Sequence, residues 1–282
     1  MICFPNAKIN LGLHIVSKRP DGYHNIETVF YPIPLCDALE IVPSETGETT
    51  FSQTGISIDG SPNDNLVMKA FHLLKNDFDL PEIAVFLRKQ IPFGAGLGGG
   101  SADAAFMLGL LNDFAGLGLS VEQMEEYAGR LGADCPFFVR NKPVFAEGVG
   151  DIFTPVDVSL KGYYLVLVKP DIHVSTKEAY AGIAPRQPLS RLTETIHLPV
   201  EEWKNRLVND FEEGIFARYP AIGGIKQSLY DQGAIYASMS GSGSSVFGIF
   251  EKPPIFREKN GEKMKFFQRL LPNIFYSDIF LT

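Results

Sequence analysis

The feature that most constrains this chain is a glycine-rich segment at residues 94–101, which reads GAGLGGGS and contains five glycines. Closely spaced glycines let successive backbone N–H groups turn toward one side, where larger side chains would obstruct an anion. The next residues, SADAAFMLGLLNDF, repeat apolar side chains every three to four positions, which predicts a helix that begins near Ser101. A glycine turn leading into a helix N-terminus favours phosphate binding. We therefore expect a nucleotide or phosphate site here.

Two familiar phosphate-binding motifs almost match this segment. The dinucleotide pattern G-x-G-x-x-G fits the glycines, but it should follow a strand directly and precede an acidic residue at the end of a second strand. Here Pro92 interrupts the chain after the strand-like residues 83–91, and Asp113 lies in a helical stretch. The P-loop pattern fails because Gly100 stands where a lysine is required before Ser101. Another cation must then neutralise the phosphates, and a glycine turn without a ligand remains the alternative.

Composition limits the class of protein. The 282 residues suit one large or two moderate domains, and the hydrophobic fraction of 45% excludes a disordered chain. Because the formal net charge is −8, we expect no nucleic-acid partner. The three cysteines show neither metal-binding spacing nor a disulfide framework. No apolar run approaches about 18 residues and no signal peptide is recognisable, so we expect a soluble, cytoplasmic protein without a membrane partner.

Strand and helix patterns interleave along the chain, which predicts two α+β domains. The proline and glycine near residues 155–162 suggest a boundary, giving domains 1–157 and 158–282. Ser120 and Gln123 form a capping box that predicts the start of a helix. Residues 234–239 and 244–250 read as strands joined by the loop SGSGS. Near the end, residues 262–271 are expected to form a helix and residues 274–282 a strand.

Two side chains could carry the chemistry if the glycine segment binds a nucleoside triphosphate. Phosphoryl transfer needs a cation near the transferred group and a residue that takes the acceptor's proton. Lys8 stands at the start of the first strand, and Asp134 stands in the turn GADCPFF. A lone lysine more often lies on a solvated surface, and an aspartate in a turn is usually a local cap or turn former. Tyr23 and His24 follow an Asp-Gly turn and suit stacking on a flat ring.

Four segments, in order, resemble the motifs of the GHMP small-molecule kinases: PNAKINLGL, IPFGAGLGGGSADAA, GADCPFF and MSGSGSSVFG. RPDGYHNIETVF, AEGVGDIFTP and NDFE extend the resemblance over residues 5–250. It implies an N-terminal ribosomal-protein-like α/β domain and a C-terminal ferredoxin-like domain. It also implies transfer of the ATP γ-phosphoryl, with Mg²⁺, to the 2-hydroxyl of a cytidyl diphosphate sugar alcohol in non-mevalonate isoprenoid synthesis. Monomer and homodimer both remain open.

The resemblance also implies the site residues. Asp134 would be the general base, and Lys8 its cationic partner that replaces the missing loop lysine, since an adjacent ammonium favours a developing alkoxide. The ATP phosphates would be held by Pro92, Gly94, Ala95, Gly96, Leu97, Gly98, Gly99, Gly100 and Ser101, with Ser101 also the candidate Mg²⁺ ligand. The adenine side would be held by Asn65, Leu66 and Lys89. The acceptor would be bound by Asn10, Tyr23, His24, Thr176, Tyr180, Ser240 and Gly241.

Two other functions stay open. One is a GHMP kinase that acts on homoserine, mevalonate or a sugar, although these acceptors have no base for Tyr23 and His24 to stack on. The other is a non-catalytic metabolite-binding regulator, which would need neither Lys8 nor Asp134. Two departures from the family pattern are Ala102, which replaces a second serine, and Cys135, which replaces an aliphatic residue. Cys135 is expected to pack as a small apolar side chain.

Overall fold

The computed structural model describes residues 1–57, 61–188 and 190–254, together with the backbone of the strand Lys265–Leu270. The chain divides into two compact units. Unit 1 comprises Met1–Lys8, Pro32–Phe93 and Leu97–Lys142, and unit 2 comprises Ile9–Tyr31, Gly94–Gly96 and the described residues from Pro143 onward. The units therefore interleave along the sequence. The domain division at 157/158 stays a prediction.

The described strands and helices follow one another in a mixed order, which confirms the α+β class. The strands are β1 Ile2–Cys3, β2 Asn6–Lys18, β3 His24–Cys36, β4 Ala38–Pro43, β5 Thr50–Gly55, β6 Ile83–Lys89, β7 Val144–Glu147, β8 Ile152–Pro155, β9 Tyr164–Lys169, β10 Tyr236–Met239, β11 Val246–Phe250 and β12 Lys265–Leu270. The helices are α1 Leu66–Asp77, α2 Gly99–Ala115, α3 Val121–Leu131, α4 Cys135–Arg140, α5 Thr176–Ala181, α6 Leu192–Thr195, α7 Phe211–Arg218 and α8 Pro220–Asp231. None of these helices is both long and apolar enough to span a bilayer.

Unit 1 is built on a sheet with strand order β1-β4-β6-β5, in which β5 runs parallel to β6 and the other neighbours are antiparallel. Alternation along β6 buries one face and exposes the other, as expected for a sheet covered on one side. The buried face belongs to a core that includes Leu39, Val85, Phe71 and Met107 from β4, β6, α1 and α2. This core supports the start of α2. The capping box of Ser120 and Gln123 opens α3 as predicted.

Unit 2 contains an antiparallel sheet with strand order β10-β11-β9-β12. Its core includes Val166, Val168, Ile215, Ile222 and Val246. The predicted hairpin is confirmed, because β10 and β11 pair directly on either side of the loop at residues 240–245. The helix predicted at residues 262–271 is wrong for its described part, Lys265–Leu270, which forms β12 and pairs with β9, whose edge supplies the backbone hydrogen bonds. The other residues of that predicted helix lie outside the described ones. The strand predicted at 274–282 lies outside the described residues.

Strand β2 also differs from a simple amphipathic strand. The sequence alternates apolar residues with polar ones, but residues 6–15 are buried without interruption. The polar side chains of Lys8, Asn10 and His14 are therefore enclosed. Buried polar groups need partners, because leaving them unpaired costs free energy. The partners of Lys8 and Asn10 define the site described next.

Candidate active site

Lys8 and Asp134 form an ion pair in unit 1, with 3.7 Å between Nζ and Oδ2. The Lys8 side chain is 5% exposed, whereas that of Asp134 is 35% exposed. Burial lowers the pKa of Lys8 below its ordinary value, and the charge of Asp134 opposes that change. The backbone N–H of Lys8 donates to the carbonyl of Leu97 at 2.9 Å, which fixes the strand beside the glycine-rich segment. The two predicted catalytic residues are thus brought together, with the carboxylate open to a ligand.

The N-terminus of α2 lies next to the Lys8 side chain. Gly98 is the N-cap with a φ of 70°, and no described side chain caps the helix. A Cβ at Gly98 would lie 2.8 Å from Phe138 Cζ and 3.2 Å from Lys8 Cγ, so glycine is required both by the backbone and by the space. The first N–H groups of α2 have no partner inside the helix and carry a partial positive charge. This end of the helix can therefore accept an anion beside Lys8.

Further predicted ATP-binding residues lie around the same helix. A Cβ at Gly100 would lie 3.6 Å from Leu66 Cδ1, so Leu66 borders the glycine-rich segment. Asn65 is the N-cap of α1, and its Oδ1 accepts from the N–H of Val67 at 2.9 Å. Burial raises the pKa of the Cys135 thiol to about 11, and the side chain of Ser101 acts in the opposite direction. Cys135 is buried as expected.

Lys89 is placed in the core of unit 1. Its Nζ pairs with Asp37 and with Asp103, the latter at 2.6 Å. Burial raises the pKa of Asp103 to about 7, the charge of Lys89 lowers it, and the charge of Asp37 raises it. The ammonium of Lys89 is committed to these carboxylates, so its predicted contact with the adenine side of ATP stays a prediction. Pro92 lies just after β6 and is half-buried.

Ser240 connects several predicted residues within unit 2. Its hydroxyl donates to the carbonyl of Gly96 at 2.8 Å and accepts from the N–H of Asn10 at 3.3 Å. A Cβ at Gly241 would lie 3.4 Å from Asn10 Oδ1. Ala95 joins them because its carbonyl accepts from the N–H of Ser245 at 3.4 Å. The first glycines and the loop SGSGS thus form one polar cluster with Asn10.

Aromatic rings gather elsewhere in unit 2. His24 and Tyr180 stack with ring centroids 4.9 Å apart and an interplanar angle of 20°. Burial, and the nearby Lys18, lower the pKa of His24 below its ordinary value, which favours the neutral imidazole at pH 7. Tyr23 is 67% exposed. The Thr176 hydroxyl lies 3.4 Å from that of Ser242 in the SGSGS loop.

The segment NDFE, residues 209–212, holds the SGSGS loop, a role that its resemblance to the family pattern does not by itself imply. Asn209 Nδ2 donates to the carbonyls of Met239 and Gly241 at 2.8 and 2.9 Å. Glu212 Oε1 accepts from the N–H of Met239 at 2.8 Å. The amide of Asn10 in turn donates to the Thr28 hydroxyl at 3.0 Å. The NDFE motif is the sequence feature that could have pointed to these residues. Their hydrogen-bond partners lie about 30 residues along the chain, so the contacts cannot be predicted from local spacing.

Comparisons with known proteins agree with this arrangement. The model of the GHMP kinases N terminal domain matches residues 65–142, and that of the GHMP kinases C terminal matches residues 198–265. A 4-diphosphocytidyl-2-C-methyl-D-erythritol kinase of Parabacteroides distasonis is 62% identical over 260 residues, which are 92% of this chain and 95% of that protein. The chain belongs to the 4-diphosphocytidyl-2-C-methyl-D-erythritol kinase family of GHMP kinases.

Solved structures support the family. A crystal structure of 4-(cytidine 5'-diphospho)-2C-methyl-D-erythritol kinase is 29% identical, with a TM-score of 0.74 over 90% of this chain and 91% of that one. Mevalonate kinase of Methanococcus jannaschii, at 13% identity, has a TM-score of 0.69 over 95% of this chain and 97% of that one, which bears on the fold alone. The predicted two-domain GHMP kinase fold is confirmed, and the family is one of phosphotransferases that use ATP and an alcohol acceptor.

Proposed function

We propose that this protein transfers the γ-phosphoryl of ATP to the 2-hydroxyl of 4-diphosphocytidyl-2-C-methyl-D-erythritol. The observation that carries the proposal is the Lys8–Asp134 ion pair beside the uncapped N-terminus of α2. A site that only bound a nucleotide would not need a half-exposed carboxylate next to a buried ammonium. Relatives that are at least 60% identical over about nine tenths of the chain carry the name of this kinase.

Asp134 acts as the general base in this proposal. As the acceptor oxygen bonds to the γ-phosphorus, the bond from that phosphorus to the β–γ bridging oxygen breaks, and ADP leaves with the electron pair. The hydroxyl proton passes to the Asp134 carboxylate. Lys8 neutralises the negative charge that develops between acceptor and phosphate, as the loop lysine does in a P-loop enzyme. The N–H groups at the start of α2 hold phosphate oxygens.

Mg²⁺ fits this site with few protein ligands. The described residues contain no cluster of three His, Cys, Asp or Glu side chains that could hold a metal. Mg²⁺ at kinase sites is commonly held by substrate phosphates, waters and one or two side-chain oxygens. The hydroxyl of Ser101, in the first turn of α2, would be one such ligand. When bound, the ion supplies charge neutralisation on the phosphates.

The acceptor is proposed to use two parts of unit 2. The polar cluster of Asn10, Ser240 and Gly241 offers amide, hydroxyl and backbone groups to hydroxyls and phosphates. His24 and Tyr180, with the exposed ring of Tyr23 and the hydroxyl of Thr176, offer flat faces and hydrogen bonds to a cytosine. Asn65 and Leu66, at the start of α1, are proposed to hold the adenine side of ATP. The matches at residues 65–142 and 198–265 lie on either side of the proposed boundary at 157/158.

Acceptor-dependent ADP release tests the proposal. Purified protein should form ADP from ATP and Mg²⁺ when the diphosphocytidyl acceptor is added, and ³¹P NMR should show a new phosphomonoester at its 2-position. Homoserine and mevalonate, which carry no nucleobase, serve as control acceptors. Equal ADP release with either of them would contradict the assignment. Asp134→Asn should lower kcat by about 10²–10⁴-fold while ATP binding persists, because the variant lacks only the general base.

A further inference from the structure

The chain segments on either side of residues 92–98 are tied together in the core of unit 1. Alternation along β6 points Lys89 to the buried face that also carries Ile83, Val85 and Leu87. A lysine at a core-facing position must bring its charge into the interior, and the Lys89 side chain is 1% exposed. Such a charge is tolerated only with close partners of opposite sign.

Each partner of Lys89 controls a different end of the glycine-rich segment. Asp37 pairs with Lys89 through Oδ2, and its Oδ1 accepts from the N–H groups of Gln90 and Ile91, at 2.5 and 2.8 Å. Asp37 thus holds the chain just before the segment begins. Asp103 Oδ2 accepts a hydrogen bond from Lys89 Nζ at 2.6 Å. Asp103 lies in α2, one turn after the first residue of that helix. Lys89 therefore joins the two ends through a single buried ammonium.

The two ends are also in close contact. A Cβ at Gly99, the first residue of α2, would lie 2.7 Å from Ile91 Cγ2 and 3.4 Å from Lys89 Nζ. The side chain of Ile91 therefore fills the space that a larger residue at position 99 would need. Because this packing and the ion pairs act at the same place, the distance between β6 and the start of α2 has little freedom.

Stability alone is a poor reason for three buried charges. Replacing a buried ion-pair network by apolar side chains of similar size is often neutral or stabilising, so such a network adds little net free energy to a fold. It does define geometry, because the hydrogen bonds require fixed distances and angles. We propose that Lys89, Asp37 and Asp103 form a loop clasp, a set of positioning residues that fixes the start of α2 for binding the ATP phosphates. This inference rests on the proposed kinase function.

Three variants and a control test the loop clasp in the full-length protein. Asp103→Asn keeps the shape and an oxygen acceptor, and Lys89→Met keeps most of the stem. The third variant carries both changes, and Asp113→Asn changes an exposed aspartate ten residues along the same helix. Steady-state kinetics give kcat and the KM of each substrate. Titration with a fluorescent ATP analogue gives nucleotide affinity without turnover, and thermal melting followed by circular dichroism reports the folded fraction.

If the clasp positions the phosphate site, Asp103→Asn and Lys89→Met each raise the KM and Kd for ATP about 10- to 100-fold, the range expected for displaced binding groups. The KM for the acceptor changes less than about twofold, and the double variant loses no more ATP affinity than the worse single variant, because both changes open the same clasp. Asp113→Asn behaves as wild type.

Two results would overturn the inference. If Lys89→Met weakens ATP binding and Asp103→Asn does not, Lys89 contacts the nucleotide directly. If all variants melt at lower temperature but keep both KM values, the network is only structural. Should Lys89→Met fail to fold, Asp103→Asn alone tests the inference, and an unchanged KM and Kd for ATP in that variant overturns it. Failure of the proposed function shows itself differently, as wild-type protein that binds the ATP analogue but does not turn over the diphosphocytidyl acceptor.

Discussion

Removing the Lys8 and Asp134 charges separately and together should show that the two side chains act as one unit in catalysis. The variants are Lys8→Met, Asp134→Asn and the double variant. Methionine is chosen because its unbranched chain keeps the packing of the Lys8 stem against Gly98, so the loss is mainly the charge. Lys75→Met removes a lysine from a surface ion pair with Glu82 in the same unit and serves as the control.

The separation of the two charged atoms sets the size of the coupling. At 3.7 Å, two unit charges interact with about 1 kcal/mol at a dielectric constant of about 80 and about 4.5 kcal/mol at about 20. Because the Asp134 side chain is 35% exposed, solvent screens the pair, and a coupling of about 1–3 kcal/mol is expected. The double variant should therefore lose about 5- to 150-fold less kcat than the product of the two single losses.

The assay is ADP release under saturating ATP and acceptor, with nucleotide affinity measured independently. The single variants should lose kcat with little change in ATP affinity, which would place their effect in the transition state. The reasoning is refuted if the single losses multiply within about twofold in the double variant, since charges 3.7 Å apart must then act independently. It also fails if Lys75→Met, which lies outside the site, reproduces the loss.

Three further predictions concern backbone geometry and pH. Gly96→Ala should lower the free energy of unfolding by about 3 kcal/mol or more, because its Cβ would lie 2.0 Å from the Ser240 carbonyl oxygen. Gly109→Ala should raise the free energy of unfolding by about 0.5–1 kcal/mol, because its Cβ would meet no described atom within 4 Å apart from its chain neighbours and the backbone of its own helix. Equal melting temperatures of the two variants would contradict this prediction. Burial raises the pKa of Asp103 to about 7, so between about pH 4 and 7 the folded protein holds a proton that the unfolded chain releases. The free energy of unfolding should therefore fall as the pH rises through that window. Urea titrations at several pH values should show this decrease for the wild type and not for Asp103→Asn. Because burial lowers the pKa of Lys8, the alkaline decrease in the pH profile of kcat should begin at a pH below about 10.4, the ordinary pKa of a lysine. Lys8→Arg should move this decrease to higher pH. If the decrease stays at the same pH, another group is responsible for it.

Local patterns predicted the parts of the site that depend on neighbouring residues. The glycine-rich segment leads into α2, which begins at Gly99, two residues before the predicted start. The SGSGS loop joins β10 and β11 as expected, and the capping box opens α3. In each case the determining residues lie within a few positions of one another, so chain chemistry alone specifies the conformation.

Long-range pairing explains what the sequence could not give. The alternation of β6 points Lys89 inward, but only Asp37 and Asp103, which are 52 and 14 residues away, make that position tolerable. The roles of Asn209 and Glu212 likewise depend on a strand end about 30 residues later. At β12 the local pattern favours a helix, and pairing with β9 decides otherwise. Tertiary contacts override local preference where a partner is distant in sequence.

The interleaving of the two units has a consequence for biosynthesis. Every segment of unit 1 has been synthesised once Lys142 leaves the ribosome, so this unit can reach its native contacts early. Unit 2 cannot reach its native contacts as early, because its first segment, Ile9–Tyr31, must wait for partners that are synthesised much later, such as β7, which pairs with β3. During that interval β2 and β3 can pair with each other, but the edge of β3 that β7 later covers keeps unpaired backbone groups. The nascent chain, more than the finished enzyme, is therefore the form exposed to aggregation and to chaperones.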